Sequence, residues 1–183
     1  MNSRRIISIL ALLAIAVPLH AQTPWRDQFL RTLAAMGAHN WIVVAEPAYP
    51  LPNSNGIEVL PTDLSQIDLL TLVLNTLANT RRVQPTFYTT TELPFVLERD
   101  AIGIGAYQAQ LSTLLKGGQV YALPQEEIDA KLDAASHNYK VLLLKSTTTL
   151  PYTSVYIDLR SGYWNQQAEN RLRAAMQAKP GGQ

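Results

Sequence analysis

Residues 37–52, Gly-Ala-His-Asn-Trp-Ile-Val-Val-Ala-Glu-Pro-Ala-Tyr-Pro-Leu-Pro, decide how the rest of the chain is arranged. Gly37 ends a helical pattern, residues 41–45 form an apolar run rich in β-branched side chains, and Glu46 follows this run directly. The order predicts a helix, a tight turn, a buried strand and a loop. Ligands of open α/β sheets bind beyond the carboxyl ends of the strands, so Glu46 is a candidate site residue.

The loop after Glu46 contains three prolines in residues 47–52. Proline fixes one backbone dihedral angle, so this loop is stiff and loses little entropy when it closes on a small ligand. A purely structural interpretation stays open, in which the prolines only end the strand and shape a turn.

Alternating helical and extended patterns continue on both sides of this segment. They predict a three-layer α/β/α domain with a largely parallel sheet. A Ser65-x-x-Asp68 capping pattern marks the start of one of the helices. Helices are predicted from Pro24, over 65–78 and 106–115, from Pro124, and over about 165–177; further strands are predicted over 57–60, 83–89, 120–123, 141–144 and 151–158.

The amino terminus has the pattern of a secretory signal peptide. Arg4 and Arg5 precede an apolar run over residues 6–17. Pro18-Leu19-His20-Ala21 ends that run, and Ala21 is the small residue that a signal-peptide cleavage site requires. The run is shorter than the roughly 20 residues that span a bilayer. We therefore expect a signal peptide over 1–21, a secreted or periplasmic protein, and one domain over 22–183 with a helical extension from about residue 160.

Composition and charge narrow the classes of partner and cofactor. The formal charge of the chain is +1, and loss of Arg4 and Arg5 with the signal peptide makes it −1, so we expect neither nucleic acid nor, after cleavage, a membrane as partner. The chain has no cysteine, and His39 and His137 lack metal-ligand spacing, so we expect no metal. No phosphate-binding or nucleophile-elbow motif is present, and we expect no cofactor.

Several polar residues lie at the predicted strand ends. Each of them alone is explained by ordinary turn and edge chemistry. Together they suit a site for a small polyhydroxylated ligand, with a carboxylate for proton transfer and an aromatic hydroxyl that orients the ligand. They are His39, Asn40, Glu46, Glu58, Tyr152 and Ser154.

The sequence resembles the RbsD/FucU family of sugar pyranases and mutarotases over about residues 30–158. The resemblance is specific in the first and last segments. It is carried by Leu33-Ala-Ala-Met-Gly37, Ile42-Val-Val-Ala-Glu46, Ala48-Tyr-Pro-Leu-Pro52, Gly56-Ile-Glu-Val59 and Pro151-Tyr152-Thr-Ser154. It implies the family's fold, a monosaccharide ligand, and a ring-shaped homo-oligomer with sites near subunit boundaries.

The family pattern has a His after the glycine, an Asp at the end of the first strand and a Tyr-x-Asn motif near the last strand. This chain has Ala38, Glu46, Tyr152 and Ser154 at those positions. The resemblance therefore implies Glu46 as acid/base, with Tyr152 and Ser154 as substrate-binding residues. The set of polar strand residues adds Glu58 as a third substrate-binding candidate. His39 stands one residue after the family histidine: either the loop shifts so that His39 reaches the site as a second catalytic residue, or His39 points elsewhere.

Two functions stay open at this point. The first is a mutarotase or pyranase that interconverts anomers or ring forms of a monosaccharide by proton transfer. The second is a non-catalytic sugar-binding or structural oligomeric module that has lost the catalytic histidine. In either case the apolar stripe of the last helix, Leu172, Ala175 and Met176, must be covered by its own subunit or by a neighbour.

Overall fold

The computed structural model describes residues 24–51 and 53–178. The predicted signal peptide lies outside these residues. Within them, no helix combines the length and the apolar character that crossing a membrane requires.

Helices and strands alternate along most of the chain, as the sequence pattern predicts; at two places, 41–61 and 141–161, one strand follows another without a helix between them. A single-turn 3-10 helix, Leu93–Phe95, lies between the third strand and the third helix. The helices are α1 Pro24–Ala35, α2 Gln66–Ala78, α3 Ile104–Leu114, α4 Gln125–Ser136 and α5 Gln166–Ala178; the strands are β1 Trp41–Ala45, β2 Ile57–Pro61, β3 Val83–Thr90, β4 Val120–Leu123, β5 Val141–Lys145 and β6 Val155–Ser161.

The strands form one six-stranded sheet in the order β2-β5-β1-β6-β3-β4. Strand β6 runs antiparallel to both of its neighbours, β1 and β3, and the other strand pairs are parallel. The prediction of a largely parallel sheet is confirmed. The carboxyl ends of β1–β5 therefore meet the amino end of β6 at one edge of the sheet, which we call the carboxyl edge. The opposite edge is the amino edge.

Helices cover both faces of the sheet, which confirms the three-layer architecture. On one face α1, α2 and α3 bury residues such as Phe29, Leu69 and Ile104 against strand residues that include Ile42. On the other face α4 buries Ile128 and Leu132 against residues that include Val43, Leu143 and Tyr156. The alternation of Ile42 and Val43 between these two cores follows from the two-residue period of a strand.

The predicted start of the last strand is corrected by the structure. Strand β6 begins at Val155 and not at Pro151. Tyr152 has a φ of 58°, in the left-handed region, so the chain turns at this residue and cannot be extended there. Residues 151–154 consequently form a loop at the carboxyl edge and not the first half of a strand.

Candidate functional site

Glu46 and Ser154 meet at the carboxyl edge although 108 positions separate them in the chain. Glu46 follows β1 and Ser154 precedes β6, and these two strands are neighbours. The Ser154 hydroxyl donates a hydrogen bond to Oε2 of Glu46. Ser154 is only 2% exposed, whereas Glu46 is half-buried. The buried Ser154 therefore fixes the position of the Glu46 carboxylate, and Glu46 itself remains partly accessible to solvent.

Gln66 connects several elements of this edge through hydrogen bonds of its buried side chain. It lies in the first turn of α2 and is fully buried. Its Nε2 donates to the carbonyls of Val44, at 2.7 Å, and Thr153, at 2.9 Å, and its Oε1 accepts from the Ser146 hydroxyl at 2.6 Å. One side chain thus fixes the ends of β1 and β5 and the loop before β6. Sequence patterns gave no indication of this residue beyond its place after the Ser65 cap.

Gln125 and Asp129 in the first turns of α4 bring a second set of polar groups to the same edge. Nε2 of Gln125 donates to Oδ1 of Asp129 at 3.0 Å and to the Tyr156 hydroxyl at 2.8 Å. The Tyr49 hydroxyl donates to the same Asp129 oxygen at 3.0 Å. These residues were not predicted. Their position could have been inferred from the sequence, because α4 starts directly after the carboxyl end of β4 and its first turns must lie at that edge.

Two side chains fix the proline-rich loop against the body of the domain. Nζ of Lys145, the last residue of β5, donates to the carbonyls of Pro47 at 3.1 Å and Tyr49 at 2.6 Å. The Tyr49 ring is buried and packs edge-on against Tyr156, with 6.2 Å between ring centroids. The stiffness expected from the prolines is thus reinforced by contacts to β5 and β6.

The buried tyrosines keep their protons at neutral pH. Burial, together with the neighbouring carboxylates of Asp129 and Glu46, raises the pKa of the Tyr156 hydroxyl to about 12. Burial also raises the pKa of Tyr107, whose hydroxyl donates to the Thr153 carbonyl at 2.6 Å and lies near Glu46. Both hydroxyls therefore stay neutral at neutral pH: the Tyr107 hydroxyl donates to Thr153, and the Tyr156 hydroxyl accepts from Gln125.

Tyr152 lies at the carboxyl edge with an exposed side chain. Its carbonyl accepts from the Thr90 hydroxyl at 3.3 Å. Its side chain lines a shallow depression of about 400 Å³ together with Thr91, Glu92, Phe95 and Val96. Glu92 connects this depression to α4, since its Oε1 accepts from the Gln125 backbone N–H at 3.1 Å. Tyr152 and Glu46 thus share an edge of the sheet, while Ser154 makes the direct contact with Glu46.

His39 does not reach Glu46 within one chain. It precedes β1, whereas Glu46 follows it, so a strand length of roughly 20 Å separates the two residues. A φ of 72° turns the His39 backbone, and its ring stacks on Tyr139 with 5.2 Å between centroids. Of the two arrangements considered from the sequence, the structure has the one in which His39 points away from the carboxyl edge.

Glu58 is also far from Glu46, which corrects its assignment to the same site. It is the second residue of β2 and therefore lies toward the amino edge. Its carboxylate accepts from Gln28 at 2.9 Å and from Thr32 at 3.1 Å, and pairs with Lys140 at 3.2 Å. Burial opposes its charge, but these partners outweigh burial and lower the pKa of Glu58. The residue fastens α1 and the start of β5 to β2.

A larger open cavity of about 730 Å³ lies at the amino edge. Turn residues and the end of α4 line it, including Asn40, Asn53, Asp133, His137 and Lys140. Many of these polar groups bond to one another: Oδ1 of Asn40 accepts from the Lys140 backbone N–H at 2.8 Å, and Nδ1 of His137 lies 2.7 Å from the Asp133 carbonyl. They stabilise the turns. Ordinary turn chemistry is the structural explanation that the sequence analysis gave for Asn40.

Within residues 24–51 and 53–178, no three histidine, aspartate or glutamate side chains converge in a way that would hold a metal ion. The chemistry that the carboxyl edge offers is that of one surface carboxylate, Glu46, beside the amide of Gln125 and the carboxylates of Asp129 and Glu92. Carboxylates and amides are groups that can form hydrogen bonds with hydroxyl groups of a small ligand, and a carboxylate can also transfer a proton.

Two solved structures share this fold at low sequence identity. Bacillus subtilis RbsD complexed with D-ribose matches with a TM-score of 0.50 and 18% identity over 73% of this chain and 92% of that chain. FucU from Bifidobacterium longum matches with a TM-score of 0.51 and 13% identity over 73% of this chain and 94% of that chain. No protein-family profile and no curated protein matches the sequence. The RbsD/FucU-like fold that the resemblance implied is thus confirmed.

Proposed function

We propose that this protein binds a monosaccharide at the carboxyl edge and interconverts its anomers or ring forms, with Glu46 as the proton-transfer residue. The observation that carries the proposal is the placement of Glu46, a half-exposed carboxylate held by buried Ser154 in a fold shared with a ribose complex. Gln125, Asp129 and Tyr152 supply hydrogen-bonding groups around it.

Ring opening of a cyclic sugar needs one proton removed and one added. Glu46 accepts the proton of the anomeric hydroxyl while the bond between the anomeric carbon and the ring oxygen breaks. The ring oxygen takes up a proton from solvent, and closure on the other face of the carbonyl reverses both transfers. Ser154 donates to one oxygen of Glu46, so the other oxygen faces the sugar.

The buried groups have a positioning role in this scheme. Ser154 and Tyr156 are nearly or fully buried, so a sugar meets Glu46 and Gln125 first, and the hydroxyls beneath keep those two side chains in place. Neutral hydroxyls suit this role, because a Tyr156 pKa of about 12 leaves the residue protonated at neutral pH.

A second candidate is a sugar-binding module without catalysis. It is favoured by the position of the two histidines in the described part of the chain, His39 and His137, which both lie at the amino edge. Without an imidazole near Glu46, the second proton transfer depends on solvent, and binding without a useful rate is the alternative outcome.

Saturation-transfer NMR on a panel of monosaccharides tests both candidates. The proposal predicts that catalytic amounts of protein accelerate exchange between the anomer signals of at least one sugar. Saturation transferred to sugar protons without faster exchange would support the binding module instead. A panel with neither effect would contradict both.

We also propose that the protein is exported and forms a homo-oligomer. The basic and apolar pattern of residues 1–21 supports export. Mass spectrometry of the protein recovered from the periplasm or medium would find a chain that begins after Ala21. A chain of full length in the cytoplasm would contradict export.

A further inference from the structure

Helix α5 has no buried residue in the structure. Apart from Ala168 and Glu169, which are half-buried, all of its residues are exposed, including Leu172 and Met176, the latter by 59%. Local bonds support it: Asn165 caps its first turn at 2.9 Å, and Glu169 pairs with Arg173 at 2.7 Å. Isolated helices shorter than about 12–15 residues are marginal in water, so a 13-residue helix with an apolar stripe needs a surface to cover.

The position of α5 is fixed at the amino edge. It follows β6, whose last residue, Ser161, pairs with the first residue of β3. The backbone N–H of Gly162 donates to the Arg82 carbonyl at 2.9 Å. A side chain at Gly162 would overlap the Arg81 carbonyl, so the chain leaves the sheet in close backbone contact with the start of β3.

A second uncovered apolar surface lies at the opposite end of the sheet. We call it the edge patch; it is formed by the segment between β3 and α3, residues 91–103. Phe95 is 81% exposed and Ile102 is 88% exposed, and Leu97 is exposed as well. Phe95 borders the depression that contains Tyr152. Exposed apolar side chains that cluster in one segment are typical of surfaces that a partner covers.

The two surfaces carry opposite net charge. Helix α5 has one acid, Glu169, and two bases, Arg171 and Arg173. Residues 91–102 have three acids, Glu92, Glu98 and Asp100, and one base, Arg99. A basic amphipathic helix and an acidic apolar patch in the same chain complement each other in charge.

We propose that α5 of one copy of the chain covers the edge patch of a second copy. Within one chain the length of β3, roughly 26 Å, lies between the two surfaces, and α5 is not folded back onto the patch. Since the two surfaces differ and lie at opposite edges, such contacts join copies edge to edge, and a ring closes when every helix finds a patch. This contact supplies the surface for the homo-oligomer proposed above.

The contact brings a partner residue to the candidate site. The edge patch includes Glu92 and Phe95, which line one depression together with Tyr152, so the α5 helix of the partner forms one wall of that depression. This consequence rests on the proposed function. The contact itself does not, because assembly is measured without sugar and can fail or succeed independently of anomer exchange.

Light scattering after gel filtration of paired variants tests the contact. Wild type at tens of micromolar is expected to be larger than a monomer. Leu172→Glu on the helix and Ile102→Glu on the patch each place a charge in the contact and are expected to give monomers. The controls Ala174→Glu, on the opposite face of α5, and Ala109→Glu, exposed on α3, are expected to leave the oligomer intact.

Mixing the two monomeric variants gives the sharpest result. The Ile102→Glu protein keeps its helix and the Leu172→Glu protein keeps its patch, so an equimolar mixture is expected to form a dimer and nothing larger. A monomeric wild type, an oligomer that survives either substitution, or a mixture that stays monomeric would overturn the proposal. Circular dichroism confirms that each variant is folded.

A cross-link provides a second measurement that does not depend on dissociation. The chain has no cysteine, so Met176→Cys and Ile102→Cys introduce single thiols. Combined in one chain and mildly oxidised, they are expected to give disulfide-linked ladders longer than a dimer. Ladders that stop at the dimer in the double variant, or their absence, would overturn the edge-to-edge contact.

Discussion

The two edges of the sheet are both rich in polar residues, yet their polar groups are used differently. At the amino edge, Glu58 is neutralised by Lys140, and Asn40 bonds to the Lys140 backbone. At the carboxyl edge, Glu46 is held by the hydroxyl of Ser154 and stays half-exposed. Among the described residues Glu46 forms no ion pair, so its carboxylate is available for the sugar that we propose as ligand.

Strand direction decides which of two polar residues that flank a strand lies at the carboxyl edge. His39 and Glu46 flank the same strand and are equally suited to proton transfer by chemistry alone. Only Glu46, the residue after the strand, lies at the edge where five strands end and where loop 151–154 leads into β6.

The largest effect is expected for Glu46→Gln. The amide keeps the size of the side chain and can still accept from Ser154, but it cannot take up a proton. Positioned acid/base groups contribute roughly 10²- to 10⁴-fold, so anomer exchange measured by NMR is expected to fall by at least about 100-fold. The matched control at the amino edge, Glu58→Gln, is expected to keep its rate, as is His39→Ala. A Glu46→Gln protein with the wild-type rate would move the chemistry away from this edge.

Gln66→Leu is expected to produce the next largest effect, on folding stability. The substitution removes partners from the Val44 carbonyl and the Ser146 hydroxyl, which are buried. Leaving a buried polar group unsatisfied costs about 1–3 kcal/mol, so denaturant unfolding is expected to show a loss of about 3 kcal/mol. Gln108→Leu removes a single half-buried bond to the Leu93 carbonyl and serves as the control, with a loss of about 1 kcal/mol. Equal losses for both variants would contradict the role given to Gln66.

Gln125→Ala is expected to have a smaller effect, on binding. Its side chain lies between Tyr156 and Asp129 at the surface where the sugar is proposed to bind. Loss of one such hydrogen bond costs about 0.5–1.5 kcal/mol, so the dissociation constant of the sugar, measured by calorimetry, is expected to rise about two- to twelvefold. The exposed Gln84→Ala on β3 is the control. Unchanged affinity in Gln125→Ala would remove α4 from the site.

The smallest effect concerns the pH dependence at the amino edge. The partners of Glu58 lower its pKa below the ordinary value of 4.5, so the folded state holds the charged form more strongly than the unfolded state does. Its contribution is present above pH 4.5 and is lost as the pH falls through the lowered pKa. The difference in unfolding free energy between wild type and Glu58→Gln is expected to shrink as urea titrations move from neutral to acidic pH. A difference that grows on acidification would have the wrong sign for this account.

Local patterns predicted most of the elements of this fold. The apolar run of β1, the Ser65 cap of α2 and the final helix are all where their sequences place them, because periodicity and capping act over a few residues. The position of Glu46 followed from the rule that ligands bind beyond strand ends. The insertion of β6 between β1 and β3 depends on pairings between distant residues, which no local pattern contains.

The site was only half visible in the sequence for the same reason. Glu46, Tyr152 and Ser154 were predicted as site residues, and the structure brings them to one edge. Glu58 was included because it is polar and belongs to a strand, but it stands near the start of β2 and not at its end. Gln125 and Asp129 were missed because a proline and acidic residues in a first helical turn already have a structural explanation in helix capping and the helix dipole.

The assignment of the sugar site to the carboxyl edge is tested by NMR. Amide chemical shifts of the isotope-labelled protein are recorded during titration with the sugar that responds in the NMR panel. The account predicts that the shifts change at the carboxyl edge, around Glu46, Gln125 and residues 152–156. Residues around His39 and over 136–140 are expected to stay unchanged. Changes confined to the amino edge would place the ligand beside His39 and would contradict the assignment of the site to Glu46.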